Sequence, residues 1–172
     1  MILETAQQLL ETAGYDVFRK PGDEAELFFE DASILGLLCV CPSSGFIAEN
    51  WRRRQDWFLR ETAQALRNSP EKAWNTYLVL LTADATTDDQ VRTLAMIEED
   101  FAAMRKIVMS GVLSADDVLR ALAPLLPMRT VTVPNARLVE RLQKALALSQ
   151  EAFGALVRDE PELLTSLLLE DK

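Results

Sequence analysis

The sequence predicts an α+β fold: a mixed sheet of about four strands with flanking helices, followed by a helical C-terminal part. Two short apolar runs carry that prediction, Ile34 to Cys41 and Asn75 to Thr82. Each is bounded by turn-forming residues and is too continuous for a strand with one wet face, so both read as strands buried on two sides. Between them lies a long stretch of helical periodicity, and beyond Thr82 the patterning is almost wholly helical.

At the N-terminus, Ile2, Leu3, Ala6, Leu9, Leu10 and Ala13 recur at helical spacing, and Gly14 stands where a helix would stop. Tyr15 to Arg19 reads as a strand closed by the turn Lys20-Pro21-Gly22-Asp23, and Glu26 to Glu30 as a second. Asp31-Ala32-Ser33 makes a tight connection to the third strand, Ile34 to Cys41, which Pro42-Ser43-Ser44-Gly45 ends. The helix Ile47 to Leu66 follows, with Trp51, Gln55, Phe58, Leu59, Thr62 and Leu66 on its inner side. Ser69 and Pro70 form an N-cap and first-turn pair, and Asn75 to Thr82 is the fourth strand.

Thr87 and Gln90 form a capping box for a helix to about Met104, with Leu94, Ile97, Phe101 and Met104 inward. Arg105 to Met109 fits either a fifth strand or an extension of that helix. Ser114 and Asp117 box a helix ended by Pro124 and Pro127. Residues 1–127 thus read as an α+β core domain. Met128 to Pro134 reads as a linker, and 135–172 as a helical segment packed on the core or on a partner.

Composition removes several chemistries. The 172 residues contain no histidine, which excludes Ser-His-Asp and Cys-His nucleophile pairs and the usual zinc ligand sets. A net charge of −9 disfavours gripping nucleic acid by bulk charge, so DNA is expected only through a complex. The longest apolar run falls far short of the ~20 residues a spanning helix needs, and no basic leader precedes it, so no membrane contact and a cytoplasmic address are expected. No cofactor is expected.

The order helix-strand-strand-strand-helix-strand is that of restriction-endonuclease-like folds. Active members carry Glu-x-Lys on the third strand to hold magnesium and polarise water. Here that strand offers Leu38, Cys39 and Val40, so the catalytic residues are absent from the order that would carry them. Glu30 and Asp31 could hold a hard cation in a divergent magnesium-dependent nuclease, or serve as solvated turn residues. Cys39 and Cys41 share one face of an apolar strand and read as buried, inert thiols.

Arg53, Arg60 and Arg67 form a stripe seven residues apart, with Arg52 and Arg54 beside it, on the outer side of the long helix. Trp57 projects next to it. An exposed tryptophan among arginines suits a partner surface. The bland alternative is a solvated face in which Glu49 pairs with Arg53 and Asp56 with Arg60. Glu98, Glu99, Asp100, Arg105 and Lys106 form a charged segment in which Glu98 and Arg105 could share a helix face; such a group suits an ion-pair cluster or interface better than catalysis, the third reading. The terminal helix carries Leu163, Leu164, Leu167 and Leu168. Leu164 and Leu168 could pack on the core or dock on a partner.

Five stretches together resemble a bacterial family: LETAGYDV from Leu10, ENWRRRQDWFL from Glu49, AWNTYLVLLT from Ala73, IEEDFAAMRKIV from Ile97 and ALAPLLP from Ala121. The chain resembles the middle components of ABC-three-component conflict systems, Lamassu-like antiphage operons included. Trp51, Gln55, Phe58, Trp74, Asn75, Tyr77, Glu98, Asp100, Arg105 and Lys106 are the family-matching positions. The resemblance implies a non-enzymatic adaptor between an SMC- or Rad50-like ABC ATPase and a nuclease-type effector. Beside that expectation stand the divergent nuclease and an antitoxin-like inhibitor of an effector.

Overall fold

The computed structural model describes residues 1–19 and 25–126. Its elements, in chain order, are α1 (Ile2–Thr12), β1 (Asp16–Arg19), β2 (Glu26–Glu30), β3 (Leu35–Val40), α2 (Ser44–Asn68), α3 (Pro70–Trp74), β4 (Thr76–Leu81), α4 (Asp88–Glu98), β5 (Arg105–Met109) and α5 (Ala115–Leu122). A 3-10 turn, Ala123–Leu125, ends the described part. The expected turn at Lys20 to Asp23, the linker from Met128 and the helical segment 135–172, with Leu164 and Leu168, lie outside the described residues.

The strands form one mixed sheet in the order β1-β2-β3-β4-β5. The first three are antiparallel neighbours, as short connections permit. The β3–β4 and β4–β5 pairs are parallel, which requires crossovers, and α2 with α3 and then α4 supply them. The sheet therefore has five strands rather than about four. The fifth is the Arg105–Met109 segment that periodicity leaves open between strand and helix.

Alternation along the central strands sorts their side chains into two cores. Leu38, Tyr77, Val79 and Leu81 pack with Leu3, Ala6 and Leu10 of α1 and Val118, Ala121 and Leu122 of α5. On the opposite face Leu35, Leu37, Cys39, Leu78 and Leu80 meet Ile47, Trp51 and Phe58 of α2 and Leu94 and Ile97 of α4. Every residue of β4 is buried, which explains its unbroken apolar sequence. Tyr15 closes the first core from below, its hydroxyl donating to the Leu125 carbonyl at 2.7 Å.

Local signals set most boundaries. Asp31 organises the β2–β3 turn, its Oδ1 accepting from the amides of Ser33 at 2.7 Å and Ile34 at 2.6 Å. Ser43 caps α2, accepting from the Phe46 amide at 3.1 Å, so the helix starts at Ser44 rather than at Ile47. Both capping boxes form, at Thr87 with Gln90 and at Ser114 with Asp117.

One helix is shorter than expected. α4 ends at Glu98, not near Met104, because Asp100 Oδ1 turns back to the Ala102 amide at 2.8 Å and Ala103 takes a positive φ of 66°. Phe101, expected to face inward, is consequently 76% exposed, while Met104 reaches the core from beyond the turn.

Candidate functional site

The residues of two sequence blocks converge where α2, the α4–β5 turn and β5 meet. Lys106 is at the centre, with no part of its side chain exposed. Its Nζ donates to the Asp100 carbonyl at 2.6 Å, to Asp100 Oδ1 at 3.1 Å and to the Ala102 carbonyl at 2.7 Å. The ammonium also lies 5.2 Å from the buried ring of Trp51. Three donors and a cation–π contact account for the whole head group. Its ammonium, with the Ala102 amide, holds the Asp100 carboxyl below the usual carboxylate range. Arg52 covers the outside, 4.5 Å from the Trp51 ring and 3.6 Å from Asp100 Oδ2.

The flanking members do separate jobs. Arg105, on β5, donates to the Tyr77 hydroxyl at 3.0 Å. Glu98 Oε1 accepts from the Val108 amide at 2.8 Å. The expected shared helix face of Glu98 and Arg105 does not exist, because the helix stops between them. Gln55 and Phe58 are buried under α2, and the Asn75 carbonyl accepts from the Leu35 amide at 3.2 Å.

A second buried charge was not legible in the sequence. Glu26 reads as an ordinary strand residue, yet it is 1% exposed and paired with Arg54. Arg54 thereby leaves the outer stripe. The Cys39 thiol donates to Glu26 Oε1 at 3.4 Å. Burial, with the Glu26 charge beside it, pushes the Cys39 thiol well up. Burial pushes Cys41 to about 11. Neither thiol is a poised nucleophile at neutral pH. Ellman's reagent is therefore expected to label native protein at least about 100-fold more slowly than urea-unfolded protein. Prompt labelling of two thiols in the native state would refute this burial.

Glu30 and Asp31 are engaged with different partners. Glu30 Oε2 receives Lys72 Nζ at 2.6 Å, and Asp31 is spent on its turn. Among the described residues no three acidic, cysteine or histidine side chains are grouped to hold a metal.

On α2, Arg53, Arg60 and Arg67 are exposed as the spacing predicts. The anticipated pairs of Glu49 with Arg53 and Asp56 with Arg60 are not among the ion pairs of the described residues. Arg60 Nε instead donates to the Asp56 carbonyl at 3.2 Å, and Arg67 to Gln64 Oε1 at 2.7 Å. Trp57 corrects the expectation of a free anchor: it is half-buried, its ring 5.9 Å from Phe28 at 60°. The residue simply rotates toward β2, which a helical wheel without its sheet cannot show. Trp74, at the end of α3, is the open tryptophan, 84% exposed. Only its position in a resemblance block singled it out.

Residues 39–124 match the family described as ABC-three component (ABC-3C) system Middle Component 1. The chain belongs to that family. No curated protein and no solved structure matches it. The match to this middle-component family spans α2 to α5, and so takes in Lys106 and every partner of its cluster. In this middle component the cluster joins a crossover helix to the edge of the parallel strands. It fixes where Phe101 and the β5 edge stand. Among the described residues no helix is long and apolar enough to cross a membrane.

Proposed function

We propose that this middle component is a non-enzymatic adaptor of a Lamassu-like antiviral complex, linking an SMC- or Rad50-like ABC ATPase to a nuclease-type effector. Membership of the middle-component family carries the reading. The side chains add support. The buried or clustered charges that would be the first candidates for chemistry, Lys106, Asp100, Glu26 and Glu30, are each engaged in holding elements together. What remains outward is of a kind that binds proteins: the Arg53, Arg60 and Arg67 stripe and the exposed Trp74.

The test is capture of co-expressed genomic neighbours on the tagged full-length chain, with ATP present. Recovery of an ABC-type ATPase together with an effector is the expected result. Charge reversal at Arg53→Glu and Arg60→Glu should lower that recovery by about tenfold or more, with the unfolding midpoint unchanged. Unaltered recovery by the folded double variant would remove the stripe as a contact. Recovery of the effector without any ATPase would replace the adaptor with the inhibitor reading. Failure to recover either would overturn both.

A further inference from the structure

Among the described residues β5 closes the parallel side of the sheet, and no strand lies beside its outer edge. The direction of its backbone groups can be worked out. The Met109 carbonyl accepts from the Thr82 amide at 3.0 Å, so Arg105, Ile107 and Met109 direct their backbone groups toward β4. Lys106 and Val108 therefore direct theirs outward. One outward amide, that of Val108, is met by the Glu98 carboxylate at 2.8 Å.

A groove of about 390 Å³ runs over this edge, lined by Tyr77, Phe101, Arg105, Val108, Arg120 and Pro124 among others. Phe101 stands on one rim, 76% exposed for the reason given above. Two exposed arginines border the groove on a chain whose net charge is −9, Arg105 donating to the Tyr77 hydroxyl and Arg120 3.3 Å from the Asp117 carboxylate, each with further donors left over. A strand edge recognises extended backbone, an apolar trough recognises alternate side chains, and a local positive border recognises carboxylates.

We propose that the β5 edge receives an extended segment of a partner subunit, with apolar and acidic side chains in alternation, which adds to the sheet as a sixth strand. The proposal deepens the adaptor reading and rests on it. Glu98 is the stopper of this edge. A bare edge pairs indiscriminately, and a carboxylate on one of its two outward amides blocks that while yielding to a carbonyl that arrives with further backbone bonds. Phe101 then covers the added strand from the α4 side, and Arg105 and Arg120 meet its acidic residues. The α4–β5 turn anchored by Lys106 keeps the phenyl ring at the rim instead of in the core.

The experiment uses the complex captured by the full-length chain. Amide hydrogen exchange at single-residue resolution is compared between the free chain and the complex. The Lys106 and Val108 amides are expected to slow by at least about tenfold on assembly, with smaller changes at Ile107 and Met109, which already bond to β4. In parallel, Phe101→Ala combined with Arg120→Gln should reduce capture by about tenfold or more. Both positions are exposed, so the fold is expected to survive, and the unfolding midpoint verifies this. Unchanged exchange at Lys106 and Val108 in a recovered complex overturns strand addition while leaving the adaptor reading intact. So does undiminished capture by the folded variant. A native mass showing two copies of this chain, with the same amides protected, makes the occupant a second copy and overturns the partner segment. If the wild-type chain captures nothing, the adaptor reading and this proposal fail together.

Discussion

Lys106→Met is expected to lower the stability of the fold by about 3 kcal/mol, the scale of removing one partner from a buried polar cluster. Methionine fills nearly the same space, so the loss is one of interactions and not of volume. The carbonyls of Asp100 and Ala102 lose a charged donor, and Trp51 loses the cation over its ring. The turn after α4 has no apolar packing of its own to replace them, since Phe101, Ala102 and Ala103 are all exposed. Urea unfolding of the full chain, read by tryptophan fluorescence, measures the change as a lower midpoint at constant slope. A loss below about 0.5 kcal/mol would mean that the turn holds its shape without the lysine, and that the cluster is not structural.

Gly36→Ala is expected to be nearly as severe, about 2–3 kcal/mol, by overpacking. Gly36 on β3 stands opposite Phe29 on β2, and the phenyl ring lies flat across the glycine. A methyl group there would fall inside the van der Waals envelope of the ring. The ring has nowhere to retreat. It is fully buried and its centroid sits 5.5 Å from that of Tyr15, edge to face. Phe29→Leu in the Gly36→Ala background should recover part of the loss, so the double variant loses less than the two single changes combined. Strict additivity would show that the methyl clashes with something other than the ring.

The two variants probe different kinds of legibility. Gly36 lies in a strand that the sequence announces plainly, and the register puts it against an aromatic residue. Lys106 was visible only as a member of a charged segment. Spacing alone leaves Arg105 to Met109 open between strand and helix, and only the helical alternative would put Glu98 and Arg105 on one face. In the fold the same residues divide among a helix end, a turn and a strand, with Glu98 on the Val108 amide and Arg105 on Tyr77. Helical spacing from Leu94 through Met104 is real, and Leu94, Ile97 and Met104 are all buried. Periodicity nonetheless failed at Phe101, because a single turn between Asp100 and Ala103 can return the chain to the core without continuing the helix.

Trp57 and Trp74 make the complementary point about surfaces. Wheel projection placed Trp57 outside the inner stripe correctly, but β2 extends far enough for Phe28 to meet it. Trp74 is the last residue of a five-residue helix that carries no amphipathic pattern to read, so its exposure has no signal in the sequence.

The sequence by itself determined the α+β class, the order of its elements as far as the fourth strand, and the main caps and turns. These depend on residues within a few positions of one another, and backbone geometry translates such short-range patterns directly into helix, strand or turn. It also supported membership of the middle-component family, through residue blocks that need no fold to be read. Tertiary structure alone decided that Arg105–Met109 is a strand, that Glu26 and Lys106 are buried with partners, and that Phe101 and Trp74 face outward. Each of those outcomes depends on side chains brought together from distant parts of the chain. Burial and pairing are properties of that assembled neighbourhood, and one segment's own pattern carries no record of what will be packed against it.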